Sequence, residues 1–281
     1  MRKLSKPTLE PKAVYKECIS RIRNNGLRDR LDQISKDIEL AATNYDDKGK
    51  VQEYYQFVEP ASISGVVNSK ELEDVYTIRM AKKKAPGRRY YEIIRSSSPL
   101  DICPFCGHRI VSTIDHYLPK AQFPSVAVLP LNLIPSCADC NKEKNDDIPT
   151  SEINQLLHPY YDDVSQEQWL FAEVLEGTPV GIRFYVGEDI NFTATIKTRL
   201  KKHFKDLKLG ALYSSQAGTE LSNIRLQLNN LLVKSGTDQV KEHLLESYIS
   251  RKSNHINSWQ TAMYQVLANN EWFYSGGFNS L

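Results

Sequence analysis

Apolar residues recur at helical spacing through the first 98 residues of the chain. One such stripe predicts a helix over residues 11–25, which Gly26 is expected to cap. A second stripe predicts a helix over residues 27–44. A third helix is predicted to begin at Asn68 or Ser69 and to run toward Lys84, because Pro86-Gly87 then breaks the pattern. Residues 1–98 are therefore expected to be mostly helical.

The pattern changes after the short linker Ser96-Ser97-Ser98-Pro99, where β-branched residues and prolines replace helix formers. A β-hairpin is predicted further along, with strands over 169–175 and 181–186. From Thr193 onward the helical spacing returns. These patterns predict an α+β protein with three regions: a helical region over residues 1–98, a strand and loop region over 99–150, and a hairpin followed by helices over 151–281.

Composition places the chain among globular proteins. It has 281 residues, of which 41% are hydrophobic, and a formal net charge of +2. Apolar runs are only a few residues long, whereas a membrane-spanning helix needs about 20. We therefore expect a cytoplasmic protein without a membrane partner. The small net charge does not indicate whether the protein binds nucleic acid, so any electrostatic argument for binding depends on where the charges cluster.

Four of the five cysteines form two short motifs, Cys103-x-x-Cys106 and Cys137-x-x-Cys140. A C-x-x-C turn lets two sulfur atoms reach one ion, and two such turns complete the tetrahedral thiolate shell that zinc prefers. Because all four ligands are cysteines, the predicted zinc site is closed and structural. The fifth cysteine, Cys18, is expected to be a buried, inert thiol on a helix.

The segment between the two cysteine motifs carries residues suited to phosphodiester hydrolysis. His116 has the side chain best able to accept a proton from water at pH 7, so it is the candidate general base. Asp115 and Asn141 offer oxygen ligands, which suit Mg²⁺ or Mn²⁺. The predicted catalytic cation and the predicted zinc ion are therefore different ions.

The order Asp115-His116, Asn132-Leu133 and Cys140-Asn141-x-x-Lys144 between zinc knuckles resembles the ββα-metal nucleases called HNH endonucleases, over residues 103–146. The resemblance implies that residues 99–150 are a ββα-metal module in which His116 ends the first strand as the base. It implies that Asp115 and Asn141 bind the catalytic metal.

In the same family the central Asn, here Asn132, ties the loop between the strands and helps to orient the catalytic histidine. With Asn141 at the last motif position, the chain is similar to the HNH domains of RNA-guided CRISPR effectors. By resemblance it cuts DNA to leave 5′-phosphate and 3′-hydroxyl ends. Lys144 is expected to contact a phosphate, and Asp146 to support the site.

A basic run precedes the cysteine-rich segment. Between Arg79 and Arg95, seven basic residues stand against the single acid Glu92. Such a run can neutralise phosphates without reading sequence. The candidate nucleic-acid contacts in it are Lys82, Lys83, Lys84, Arg88 and Arg89. A second basic run, over residues 197–208, is a weaker candidate on the same grounds.

The layout also resembles the nuclease effectors of Septu-type and retron-associated antiphage systems, which act with an ATPase partner. The sequence has no G-x-x-x-x-G-K-[ST] phosphate loop, so ATP-driven control would come from another chain. Two alternatives stay open: the same metal site can cut RNA, and a zinc-ribbon module can bind nucleic acid without cutting it. His158 is expected to be a turn residue or to pack near the active site, and His203 is expected to be a surface or boundary residue.

Overall fold

The structure of the protein is a computed structural model, and it describes residues 1–280. The fold is α+β, as predicted: helices predominate, and two small antiparallel sheets lie among them. The chain forms two compact units, Met1–Asp163 and a second that begins at Val164. The first unit combines the predicted regions 1–98 and 99–150 with residues 151–163.

Nine elements build the first unit. Its six N-terminal helices are α1 (Pro11–Ile19), α2 (Asn25–Gln33), α3 (Ser35–Lys50), α4 (Ala61–Ser64), α5 (Ser69–Thr77) and α6 (Arg88–Arg95). The remaining elements are β1 (Thr113–His116), β2 (Leu133–Ser136) and α7 (Ala138–Lys144). Short 3₁₀ turns at Pro124–Val126 and Pro130–Asn132 lie in the β1–β2 connection.

The ends of the first helices differ from the predicted ones. Gly26 lies inside α2 and does not cap α1, because the Asn24 side chain accepts a hydrogen bond from Leu27 N (3.0 Å) and starts a new helix there. The predicted helix over 27–44 is interrupted at Ile34. At that break, carbonyls of α2 accept hydrogen bonds from the hydroxyls of Tyr15 (2.8 Å) and Ser35 (2.6 Å).

The third predicted helix begins where expected but is shorter. Asn68 and Glu71 form a reciprocal capping box at the start of α5. The helix ends at Thr77 rather than near Lys84. Beyond it Met80 is buried, and Gly87 N donates to Arg79 O (2.9 Å), so the chain turns back and starts α6. The turn passes so close to α1 that a Cβ on Gly87 would meet Cys18 Sγ at 2.4 Å.

A single apolar core joins the N-terminal helices to the cysteine-rich segment. Residues of α1 to α6 pack with Ile114 of β1, Leu133 of β2, and Ala127 and Val128 of the connection between them. The two strands pair antiparallel, with Asp115 opposite Ile134 and His116 opposite Leu133. The helices therefore form a scaffold that holds both ends of this small sheet.

The second unit begins with the predicted hairpin, β3 (Leu170–Leu175) and β4 (Gly181–Val186), which pair antiparallel. Five helices follow: α8 (Ala194–Asp206), α9 (Leu209–Ser235), α10 (Thr237–Asn254), α11 (Trp259–Asn269) and α12 (Glu271–Tyr274). The buried Asn257 side chain accepts hydrogen bonds from the amides of Trp169 and Leu170 and so fixes the start of β3. Within residues 1–280, no helix is both long and apolar enough to cross a membrane.

Candidate active site

The four paired cysteines form one buried cluster. The sulfur atoms of Cys103, Cys106, Cys137 and Cys140 all lie within 4.8 Å of one another, and none of the four is in a disulfide. Four thiolates around one zinc ion, each about 2.3 Å from it, would stand about 3.8 Å apart. The cluster could therefore bind a zinc ion, as the sequence predicts.

Local backbone geometry aims the sulfur atoms of each knuckle inward. Gly107 adopts a left-handed conformation (φ +62°) that turns the chain after Cys106. The amide of Arg109 donates to Cys106 Sγ and the amide of Cys140 donates to Cys137 Sγ, each at 3.4 Å. The four thiols interact closely: hydrogen bonding to the Cys103 thiol lowers the pKa of Cys106, whereas hydrogen bonding to the same thiol raises the pKa of Cys137 and Cys140.

Asn132 anchors the long connection between β1 and β2. Its side chain is fully buried, accepts a hydrogen bond from Leu118 N (2.7 Å), and donates to the carbonyls of Leu118 (3.0 Å) and Val126 (3.1 Å). Its own carbonyl accepts from Tyr117 N (2.9 Å). These bonds tie together the two ends of the connection and its middle.

His116, the last residue of β1, is oriented by that connection. Its Nε2 lies 2.8 Å from the carbonyl oxygen of Ala127, which can only accept, so Nε2 carries the proton. Nδ1 is then the acceptor nitrogen, and it has no hydrogen-bond partner within the described chain. Burial lowers the pKa of His116 to about 3, so the metal-free imidazole is neutral at pH 7.

Asp115 is buried beside it, with an unsatisfied oxygen. Oδ2 forms no hydrogen bond among the described residues, although Lys144 Nζ lies 3.2 Å away as an ion-pair partner. Burial raises the pKa of Asp115 to about 6, and the nearby Lys144 charge opposes that rise. A buried carboxylate is stabilised by a positive charge, and in this structure the Lys144 ammonium supplies it.

Lys144 is placed differently from its predicted role as a phosphate contact. It is only 4% exposed, and its Nζ donates to the carbonyl of His116 at 2.6 Å. The Lys144 ammonium therefore stabilises the end of β1, which carries Asp115 and His116. The reason is tertiary: α7 packs against β1, and this turn of the helix points toward the sheet.

A cleft of about 390 Å³ brings most of the predicted catalytic residues together. Asp115, His116 and the half-buried Asn141 all line it, as does the exposed Asp146. Asn132 and Lys144 do not; Asn132 supports the cleft through the β1–β2 connection and Lys144 through β1. The cleft thus collects the imidazole of His116, the carboxylates of Asp115 and Asp146, and the amide side chains of Asn141 and Asn145.

The comparisons with known proteins give one match of substantial length. The chain is 36% identical to protein Ea31 of Escherichia phage lambda over 234 residues, which cover 78% of this chain and 79% of that protein. It belongs to the Ea31 family. No protein-family model matches the chain, and no solved structure does.

In this member of the Ea31 family, part of the predicted basic run stands next to the cleft. Lys82, Lys83 and Lys84 are exposed and directly follow Ala81, which lines the cleft. Arg88 is less available, because it pairs with Glu92 and lies over the Tyr91 ring. Arg89 is exposed and contacts the Tyr90 hydroxyl at 2.7 Å.

The cleft residues that sequence reasoning did not assign to the site include Tyr76, Tyr91 and Lys120. Tyr76 and Tyr91 come from α5 and α6, far from the motif in the chain, and only tertiary packing brings them in. Lys120 lies four residues after His116, and its position in the Asp-His-x-x-Pro-Lys run was the one available signal. The positive charge of Lys120 contributes to the lowered pKa of His116, because it disfavours a second positive charge nearby.

Three residues outside the cleft can also be compared with expectation. Cys18 is buried, and burial raises the pKa of its thiol to about 12, as an inert thiol requires. His158 is fully buried in a cluster of tyrosines, and its ring packs at a tilt of 38° against that of Tyr117, the residue after His116, with ring centroids 4.2 Å apart. His203 was expected to be a surface or boundary residue, but it is fully buried on the inner face of α8.

Proposed function

We propose that this protein is a metal-dependent endonuclease of the HNH type that hydrolyses phosphodiester bonds in DNA. The observation that carries the proposal is the cleft shared by Asp115, His116 and Asn141, which come from a strand end and a separate helix. Their arrangement beside a four-cysteine cluster agrees with the ββα-metal resemblance of residues 103–146.

In this proposal His116 is the general base. Ala127 fixes the ring through Nε2, which leaves Nδ1 to accept a proton from the attacking water. Asn132 is a positioning residue, because it holds the connection from which the Ala127 carbonyl reaches the ring. The neutral state of the buried imidazole meets the first requirement for a base at pH 7.

The donor set of the cleft fits a hard divalent cation. Asp115 Oδ2 has no hydrogen-bond donor in the described structure, and Asn141 contributes an amide oxygen to the same cleft. Bound there, Mg²⁺ or Mn²⁺ would neutralise charge on the phosphate oxygens and on the leaving alkoxide. Lys144 supplies the positive charge beside Asp115 in the metal-free chain.

Positively charged side chains near the cleft would attract the phosphate backbone of the substrate. Lys82, Lys83 and Lys84 are exposed and follow Ala81, which lines the cleft, and the half-buried Lys120 lines it. We assign phosphate contacts to these four residues, and the buried Lys144 to support of the site. Such contacts would make binding strongly dependent on salt and indifferent to base sequence.

We further propose that the nuclease is an antiphage defence effector that works with an ATPase subunit. This part rests on the Septu-type and retron-associated resemblance and on the lack of a phosphate loop in the sequence. Co-purification of the chain with the product of an adjacent ATPase gene, and loss of plaque protection in a His116→Ala strain, are the expected results.

The nuclease proposal is tested on matched DNA and RNA substrates with Mg²⁺, Mn²⁺ or EDTA. We expect DNA cleavage that requires the metal and that falls at least 100-fold in Asp115→Asn and Asn141→Ala. Asn154→Ala, which changes a half-buried asparagine outside the cleft, is the matched control and should cut normally.

Each alternative predicts a different result. If the protein cleaves RNA but not DNA, the proposed substrate is wrong and the proposed mechanism stands. Salt-dependent binding of nucleic acid without cleavage of either polymer would overturn the nuclease and favour a zinc-ribbon binding module.

A further inference from the structure

Tyr76 brings a side chain of the N-terminal helices into the candidate active site. It lies in the last turn of α5, is 8% exposed, and lines the cleft. Its ring meets the His116 ring edge-on, with centroids 4.3 Å apart and planes inclined by 78°. No other aromatic ring in the described structure packs on His116, so Tyr76 forms one wall around the candidate base.

The hydroxyl group of Tyr76 has no partner. It forms no hydrogen bond with a described residue, and the hydroxyl oxygen itself is not buried, although most of the side chain is. Burial raises the pKa of this phenol well above its usual value, so the group keeps its proton at neutral pH. An O–H donor on a residue that lines the cleft, without an acceptor in the protein, can donate to an acceptor that enters the cleft.

We propose that Tyr76 is a further catalytic residue, whose hydroxyl donates a hydrogen bond to a non-bridging oxygen of the scissile phosphate. This inference rests on the proposed nuclease function. Charge on those oxygens is stabilised by fixed donors during phosphoryl transfer, and a neutral phenol held rigidly by a helix needs little reorganisation to act as one. The role also explains why a tyrosine, not a phenylalanine, packs on the His116 ring.

The test compares Tyr76→Phe with the wild type in single-turnover cleavage of a labelled DNA duplex at saturating protein with Mg²⁺. The substitution keeps the ring against His116 and removes only the hydroxyl. We expect the rate constant to fall about 100-fold, as for loss of one oxyanion donor. Binding of the same duplex with Ca²⁺ in place of Mg²⁺, the zinc content and the melting temperature should stay near the wild-type values.

Tyr185→Phe is the matched control, because Tyr185 is an exposed tyrosine on β4 and makes no described hydrogen bond. It should cleave at the wild-type rate. If the wild type cuts in a His116-dependent way and Tyr76→Phe stays within about threefold of it, this inference is wrong and the nuclease proposal stands. If the wild type cuts neither DNA nor RNA, both are overturned.

Discussion

Three polar residues at the centre of the first unit are buried where apolar residues would be easier to accommodate. Asp115, His116 and Asn132 are each at most 9% exposed. Asn132 satisfies its side chain with backbone partners, and His116 satisfies Nε2. Asp115 Oδ2 is buried without a hydrogen bond, and Asp115 and His116 both line the cleft. A buried, unsatisfied carboxylate oxygen in a cleft calls for a functional explanation.

Asn132→Ala tests the anchoring of the β1–β2 connection. The substitution removes three side-chain hydrogen bonds and leaves buried backbone groups unpaired, so we expect the free energy of unfolding to fall by about 2–4 kcal/mol. Urea denaturation measures the change. Asn223→Ala, at an exposed position of α9, should change stability by less than about 0.5 kcal/mol. Equal effects of the two substitutions would contradict the anchoring role.

The buried His116 makes stability depend on pH. Its pKa is about 3 in the folded protein and about 6.5 when unfolded, so below pH 6.5 the unfolded state binds more protons. The free energy of unfolding should therefore decrease as pH falls from 6.5 toward 3. Asp115, with its pKa raised to about 6, acts in the opposite direction between about pH 4 and 6.

Comparison with His116→Gln isolates the histidine, because Asp115 and the cysteine cluster are present in both proteins. Between pH 7 and pH 5 the wild type should lose more stability than His116→Gln, measured by urea denaturation of metal-free protein at each pH. Identical pH profiles would show that the His116 ring titrates normally and is not buried as described.

At the scale of elements, the sequence predicted correctly those features that depend on residues close together in the chain. The β3–β4 hairpin, the start of α5 at its capping box and the two cysteine knuckles follow from turn residues, caps and spacing, and each prediction is confirmed. The end of α5 and the start of α2 were misplaced because Met80 is drawn into the core and Asn24 caps a helix that Gly26 was expected to end.

The parts of the cleft that sequence reasoning missed depend on packing between elements. Tyr76 and Tyr91 come from helices whose apolar stripes look like ordinary core. Lys144, which was predicted to contact a phosphate, is instead buried beside Asp115. Their roles are set when α5, α6 and α7 pack around β1 and β2. No periodicity or spacing in the sequence encodes that arrangement.

Helix α3 offers an element-scale prediction at Gly49. A Cβ there would lie 2.3 Å from the Tyr54 hydroxyl and 2.5 Å from the Tyr161 ring, so Gly49→Ala should destabilise the protein by about 1–3 kcal/mol. Gly218→Ala in α9 meets no atom within 4 Å and should stabilise it by about 0.5–1 kcal/mol. Thermal denaturation of both variants checks the contrast; destabilisation by Gly218→Ala, or none by Gly49→Ala, would contradict the packing.

At the scale of the whole molecule, the cysteine cluster links segments that the sheet alone would hold weakly. Cys103 and Cys106 precede β1, whereas Cys137 and Cys140 lie at the start of α7 after β2. A two-stranded sheet of four residues per strand is marginal by itself. One bound ion would therefore join both ends of the small sheet to the helix that carries Asn141.

Zinc analysis tests this link. Purified protein should contain one zinc ion per chain, and Cys137→Ser should lower both the zinc content and the melting temperature, because structural zinc contributes directly to folding. Cys18→Ala changes a buried cysteine outside the cluster and should leave the zinc content unchanged. A Cys137→Ser protein with full zinc content and unchanged melting temperature would contradict a structural zinc site.

The central claim of the proposal is that the cleft around His116 cuts nucleic acid. The most direct test measures how fast the wild type and His116→Ala nick supercoiled plasmid in the presence of Mg²⁺. Because the ring is buried, the variant should lose about 1–3 kcal/mol of stability yet remain folded, which a melting curve verifies. We predict a loss of cleavage of at least 100-fold, as expected for removal of a general base. A folded His116→Ala protein that nicks plasmid at the wild-type rate would contradict the account.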